Sequence, residues 1–185
     1  MVPRPPRPLP LPTLLLGALS VVLVLTACAA PAPAGTAAIP VVASTDVYGA
    51  VVRAVGADRV AVTSLIDSPA ADPHSFEAPP AAAAAVARAR LVIVNGGGYD
   101  DFATRLAAGS PAAVIDVVQL SALSAPPGGE LNEHVWYSLP TMKALAARIA
   151  ADLGAVEPAS AARFTTGADA FAARASTGSS PRWTR

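Results

Sequence analysis

The fold is decided by the stretch Leu91-Val92-Ile93-Val94-Asn95, which is followed by Gly96-Gly97-Gly98-Tyr99. A short, uninterrupted apolar run is typical of a strand buried on both faces, as in a parallel sheet that helices cover on both sides. A helix is expected directly after it, from about Asp101 to Ala107. The three glycines lack the GxGxxG spacing of a dinucleotide-binding loop, so we do not assign them to phosphate binding.

The same pattern of strand and helix recurs on both sides of this stretch. Apolar runs typical of strands occupy residues 39–43, 60–65 and 113–117, and helical segments are expected at 47–55, 81–90 and 139–153. Between the first strand and its helix, Ser44-Thr45-Asp46 offers good helix N-cap residues. Four alternations of strand and helix predict an α/β fold with a four-stranded parallel sheet and helices on both faces.

The N-terminus has the layout of an export signal. Arg4 and Arg7 precede an uncharged apolar run over residues 13–25, which is shorter than the roughly 20 residues that a membrane-spanning helix needs. The run ends in Leu25-Thr26-Ala27-Cys28, which resembles the lipobox of bacterial lipoproteins. Cys28 would then be the lipid-carrying first residue of the mature chain; the alternative is a cleavage site of small residues in which the thiol has no role. We expect a signal peptide over residues 1–27 and a flexible, proline-containing tether over residues 28–38.

Charge and cysteine content exclude several classes of function. Thirteen basic residues balance thirteen acidic ones, and there is no basic stripe with interleaved aromatic residues, so we expect no nucleic-acid partner. Cys28 is the only cysteine, and it therefore cannot form an intramolecular disulfide or belong to a multi-thiolate zinc site.

The chain has two histidines, and both lie in loops after predicted strands. His74 lies in Asp72-Pro73-His74-Ser75-Phe76-Glu77 after the second strand, and His134 lies in Asn132-Glu133-His134-Val135-Trp136 after the fourth. The carboxyl ends of parallel strands meet at one edge of the sheet, where α/β proteins bind their ligands. Neutral imidazole is a common ligand of zinc and related ions. The spacing alone also fits two unrelated structural or surface histidines.

These two loops resemble the two N-terminal ligand segments of the substrate-binding lipoproteins of bacterial zinc and manganese ABC importers. The resemblance extends over residues 41–46, 91–96 and 98–100 and covers about residues 39 to 170 in the same order. It implies two α/β lobes joined by a long helix, with the metal held between the lobes by two histidines of the first lobe and further ligands of the second. For this chain it implies His74 and His134 as ligands of zinc or manganese, an ABC permease as partner, and no enzymatic activity. It also implies a monomer that is exported and held at the outer face of the cell membrane by the lipid on Cys28.

The chain departs from this family in three respects. Glu133 stands where many members have proline, and it is either a solvated acid or a substitute ligand. Residues 119–131 contain no histidine run of the kind found in many zinc-specific members, so manganese, iron and zinc all remain open. Either Asp72 or Asp116 is expected to accept a hydrogen bond from a ligand imidazole, as metal-bound histidines usually require.

The third departure is length, because no second lobe follows the first. We expect the metal-binding lobe at residues 39–156, the start of the connecting helix at 157–174 and an irregular tail at 175–185, which suggests truncation or a shifted reading frame. Two imidazoles do not complete a tight site, so weak binding is expected. One alternative is a remnant that binds nothing. Another is a zinc hydrolase with Glu77 or Glu133 as base, although the sequence has no HExxH motif.

Overall fold

The sheet has four parallel strands in the order β2-β1-β3-β4. A computed structural model describes residues 37–177 of the chain. Its strands are β1 (Ile39–Thr45), β2 (Val60–Ile66), β3 (Leu91–Val94) and β4 (Ala113–Asp116). The predicted four-stranded parallel α/β sheet is therefore confirmed, with the decisive stretch 91–94 as an inner strand.

Six helices accompany these strands among the described residues. They are α1 (Asp46–Gly56), α2 (Pro80–Arg88), α3 (Asp101–Ala108), α4 (Val117–Ser121), α5 (Leu139–Val156) and α6 (Ala161–Thr177). Single 3-10 turns are found at Ala57–Arg59, Val135–Tyr137 and Pro158–Ser160.

Alternate residues of the inner strands face two separate cores, which explains why these strands read as continuous apolar runs. On one face, Leu91 and Ile93 pack with helices α1, α5 and α6. On the other, Val92 and Val94 pack with α2 and α3. Helices on both faces of the sheet are thus confirmed.

Two local expectations need correction. Ser44 and Thr45 do not cap α1 with their side chains, because β1 extends through Thr45, which pairs with Ile66. Residues just after β4 form α4 instead of extending the strand; the carboxylate of Asp116 caps this short helix by accepting from the backbone N–H of Gln119 at 2.9 Å.

The last helix differs in its bounds from the expected 157–174. A 3-10 turn at Pro158–Ser160 precedes it, and α6 then runs from Ala161 to Thr177, so residues 175–177 are helical where an irregular tail was expected. Phe164 of α6 is fully buried, and it shares the core of α1 and α5. Helix α6 is therefore packed against this unit and does not project from it.

Several predictions lie outside the described residues. These are the signal peptide over 1–27, the lipid on Cys28, nearly all of the tether over 28–38 and the tail beyond Thr177. Within residues 37–177, no helix combines the length and the apolar character that crossing a membrane requires.

Candidate metal centre

The sheet order places the two histidine loops at opposite edges of one site. His74 follows β2 and His134 follows β4, and these are the two outer strands. Tyr99 follows the inner strand β3, and its ring contacts both imidazoles, with centroid distances of 5.3 Å to His74 and 6.0 Å to His134. From β1 the chain crosses to β2 on one side of the sheet, and from β3 it crosses to β4 on the other side. The gap between β1 and β3 is therefore a topological switch point, where α/β sheets bind ligands.

The loop that carries His74 is fixed by Asp72. One carboxylate oxygen of Asp72 accepts from the backbone N–H of His74 at 3.1 Å, and the other accepts from the hydroxyl of Ser75 at 3.1 Å. Two residues after His74, Phe76 packs against Phe102 of α3 with a centroid distance of 4.8 Å. The backbone of this loop is thus tied to the fold, while the His74 side chain remains half exposed.

His134 is oriented by Asn132. The side-chain oxygen of Asn132 accepts from the backbone N–H of His134 at 3.0 Å and lies 2.9 Å from its ring Nδ1. Because the backbone N–H needs an acceptor, the amide oxygen must face it, and Nδ1 must then carry the proton. In the neutral ring the lone pair is then on Nε2, which leaves this nitrogen available to a metal.

Aromatic rings flank His134 on its inner side. Trp136 packs against the main core, with centroid distances of 5.0 Å to His134 and 4.8 Å to Tyr99. Trp136 is therefore a packing residue beside His134. Tyr137 is 80 % exposed and makes a ring contact with Trp136, so it lies at the surface of the protein.

A buried amide links the loop of His134 to the sheet. Asn95, at the end of β3, donates from Nδ2 to the backbone oxygens of Gly96 at 2.9 Å and Glu133 at 3.0 Å. Its side-chain oxygen accepts from the hydroxyl of Tyr48, whose pKa is raised by burial so that the proton stays in place. The loop that carries His134 is thereby anchored to β3 and α1.

The turn after β3 is held by Asp100. This buried carboxylate accepts from the backbone N–H groups of Asn95 at 2.7 Å and Gly96 at 2.9 Å. Burial raises the pKa of Asp100, and these donors oppose that rise. Gly96 has a φ of +77°, and a Cβ there would collide with the carboxylate of Asp116, so glycine is required at this turn. Tyr99 is placed by this turn; partial burial raises the pKa of its hydroxyl, as does the nearby charge of Asp100.

For His134, the expected acceptor of the ring N–H, Asp72 or Asp116, was wrong, because Asn132 takes this place. Asp72 binds a backbone N–H and a serine hydroxyl, and Asp116 caps α4. Glu133 contacts the other ring, with its carboxylate 2.9 Å from the His74 Nε2. Sequence reasoning missed Asn132 because an amide two residues before a histidine is also an ordinary turn residue.

The sequence matches the model of a known protein family over most of its length. Positions 41–178 match the family model described as zinc-uptake complex component A, periplasmic. The chain belongs to this family. The match runs from β1 to the end of α6 and so includes both histidine loops.

Several solved structures share the fold of this ZnuA family member. The crystal structure of a ZnuA is 23 % identical, with a TM-score of 0.68, and the match covers 76 % of this chain and 56 % of that one. A cadmium-bound periplasmic metal-binding protein from Candidatus Liberibacter asiaticus is 23 % identical, with a TM-score of 0.65 and coverages of 72 % and 51 %. A manganese-bound periplasmic metal-binding protein from the same organism is 22 % identical, with a TM-score of 0.64 and coverages of 72 % and 52 %. The chain thus spans about half the length of these proteins.

The donor atoms of the site suit a borderline divalent ion. Imidazole nitrogen and carboxylate oxygen are ligands of zinc and related transition metals. Within residues 37–177, however, no three side chains of His, Cys, Asp or Glu already converge as a metal site. The two imidazoles and the Glu133 carboxylate lie at an exposed end of the sheet.

Proposed function

We propose that this chain captures a divalent transition metal, zinc or manganese, outside the cytoplasm and delivers it to the permease of an ABC importer, with His74 and His134 as ligands. The observation that carries this proposal is that both imidazoles of the chain, from loops at opposite edges of the sheet, contact one tyrosine. Two unrelated surface histidines have no reason to meet there.

The state of the rings supports the same role. Asn132 fixes the His134 tautomer that leaves Nε2 available, which is the arrangement expected of a zinc-binding histidine. Both histidines are exposed, so an ion can reach them without opening the core. Two structures with this fold are described as cadmium-bound and manganese-bound, which is the class of ion that the two imidazoles suit.

The proposal includes the attachment and the division of the chain. Cys28 carries a lipid that keeps the protein at the outer face of the membrane beside its permease, and the protein works as a monomer without enzymatic activity. Residues 1–27 are the signal peptide, 28–38 the tether and 39–156 the metal-binding lobe, and α6 is the start of the connecting helix. Because two imidazoles leave a tetrahedral site half filled, binding by this chain is weak unless further ligands join them.

Metal titration tests this function directly. The full chain, purified in detergent because of the apolar run 13–25, is titrated with Zn²⁺ and with Mn²⁺ by calorimetry. We expect one ion per chain, and we expect His74→Ala and His134→Ala each to weaken binding by roughly tenfold or more, since even the outer partners of a ligand contribute that much. Tyr137→Ala, an exposed aromatic change in the same loop, should leave affinity unchanged.

Two results would contradict the proposal. If the wild-type chain binds neither ion at millimolar concentration, it is a remnant without this function. If binding is present but both histidine variants bind as the wild type does, the ion lies elsewhere.

A further inference from the structure

Glu133 contacts the atom of His74 that a metal would use. Its Oε1 lies 2.9 Å from the His74 Nε2, and its side chain is only 19 % exposed, compared with 50 % for His74. The carboxylate is therefore already turned inward, onto the ligand nitrogen, although solvent is available to it.

The Glu133 carboxylate lies near the distance of a neighbouring ligand from His74. A metal bound to Nε2 stands about 2.0–2.1 Å from this nitrogen, and the Glu133 oxygen lies 2.9 Å from the same nitrogen. In a tetrahedral site, nitrogen and oxygen ligands at such distances are about 3.3 Å apart. The observed separation of 2.9 Å is only a few tenths of an ångström less. When an ion binds between them, the two atoms separate by these few tenths of an ångström, and any proton on the His74 Nε2 is released to water, so that both atoms coordinate the ion.

The backbone of Glu133 is fixed where both imidazoles are within reach. Its carbonyl oxygen accepts from Asn95 Nδ2 at 3.0 Å, and the next residue is His134. The second carboxylate oxygen, Oε2, lies next to Gly98, where even an added Cβ would be 4.0 Å away. Because glycine has no side chain, nothing at position 98 crowds this oxygen. Two neutral imidazoles leave the double charge of a divalent ion uncompensated. The negative charge of the Glu133 carboxylate would offset half of it.

We propose that Glu133 is a third metal ligand, supplied by the same loop as His134 and coordinating together with His74. This inference rests on the proposed metal-binding function. His74 and Glu133 are preassembled, and the exposed His134, with its Asn132 contact kept, moves toward the ion when it binds, because the three side chains do not yet converge. The carboxylate takes one of the positions that two imidazoles leave open.

Replacing the carboxylate by an amide tests this inference. Glu133→Gln keeps the size of the side chain, and Glu130→Gln is a matched control because it makes the same charge change at an exposed position of the same loop. Each full-length variant is titrated with Zn²⁺ by calorimetry and with Co²⁺ by visible absorption, which reports the ligand set of the ion. We expect Glu133→Gln to weaken binding by roughly tenfold or more and to change the Co²⁺ spectrum. Glu130→Gln should do neither.

The outcomes separate this inference from the function on which it rests. If Glu133→Gln binds as tightly as the wild type with the same Co²⁺ spectrum, or more tightly because a competitor of the metal has been removed, Glu133 is not a ligand. His74→Ala and His134→Ala would still weaken binding in that case, and the metal-binding function would stand. Unchanged far-ultraviolet circular dichroism of the metal-free variant confirms that the fold is intact.

Discussion

Asn132 holds His134 through two hydrogen bonds that end on the same side-chain oxygen. One fixes the loop backbone, and the other selects the ring tautomer, so a single amide determines both the position of His134 and the nitrogen it presents. Such partners of a metal ligand typically change affinity by about 10- to 100-fold.

Asn132→Ala is therefore expected to weaken Zn²⁺ binding by about tenfold. Asn132→Asp keeps an acceptor oxygen in place and should retain most of the affinity. In ¹⁵N NMR spectra of the metal-free protein, Asn132→Ala should also increase the share of the tautomer protonated at Nε2. An unchanged tautomer and an unchanged affinity would show that Asn132 only shapes the loop.

At this scale the sequence supplied His74 and His134 but not their partners. The histidines stood out because the chain has only two and both follow strands. Asn132 and Tyr99 are ordinary residues in sequence; their roles depend on which side chains the sheet order brings together. Glu133 was recognised as unusual by its difference from the family, but its contact with His74 joins two loops, and no local pattern encodes it.

Helix α6 is an integral part of the lobe and contacts α1 very closely. Gly167 of α6 faces the last turns of α1; a Cβ there would lie 3.0 Å from the carbonyl carbon of Val55 and still nearer to its oxygen. Backbone atoms cannot rotate away as a flexible side chain can. The two helices must therefore move apart to accept even one methyl group.

Gly167→Ala should destabilise the protein although alanine is the better helix former. Overpacking costs about 1–3 kcal/mol, and it opposes a gain of about 1 kcal/mol in helix propensity. Thermal unfolding followed by circular dichroism should thus show a lower midpoint than the wild type. The neighbouring exposed change Thr166→Ala should not lower it. A higher midpoint for Gly167→Ala would mean that α6 is not packed on α1.

Strands and helices were predictable where one sequence pattern dominated. They were less predictable where tertiary contacts compete with the local preference. β3 was clear because its burial on both faces leaves an unbroken apolar run. The end of β1 was not, since Ser44 and Thr45 favour a helix cap locally, but sheet pairing with β2 takes precedence. Helix α4 is only five residues long and is stabilised by the cap from Asp116, which is too short a segment to show a helical period.

At the scale of the whole molecule, the order of the strands creates the site. Because β2 and β4 are the outer strands, their loops reach the site from opposite sides, and the turn after β3 sets Tyr99 against both. The alternation of strands and helices predicts a parallel sheet, but it does not by itself specify this order. The chain spans about half the length of the structures it matches, and the ligands proposed within it are His74, His134 and Glu133.

The central claim is that the two imidazoles bind one and the same ion. Long-range ¹H–¹⁵N NMR of the labelled full chain, titrated with Zn²⁺, tests it most directly, because the chain has no other histidine. We predict that the Nε2 resonances of His74 and His134 shift together, with one midpoint and saturation at one equivalent of bound zinc. A shift of only one ring, two separate midpoints, or no shift of either ring would contradict the claim.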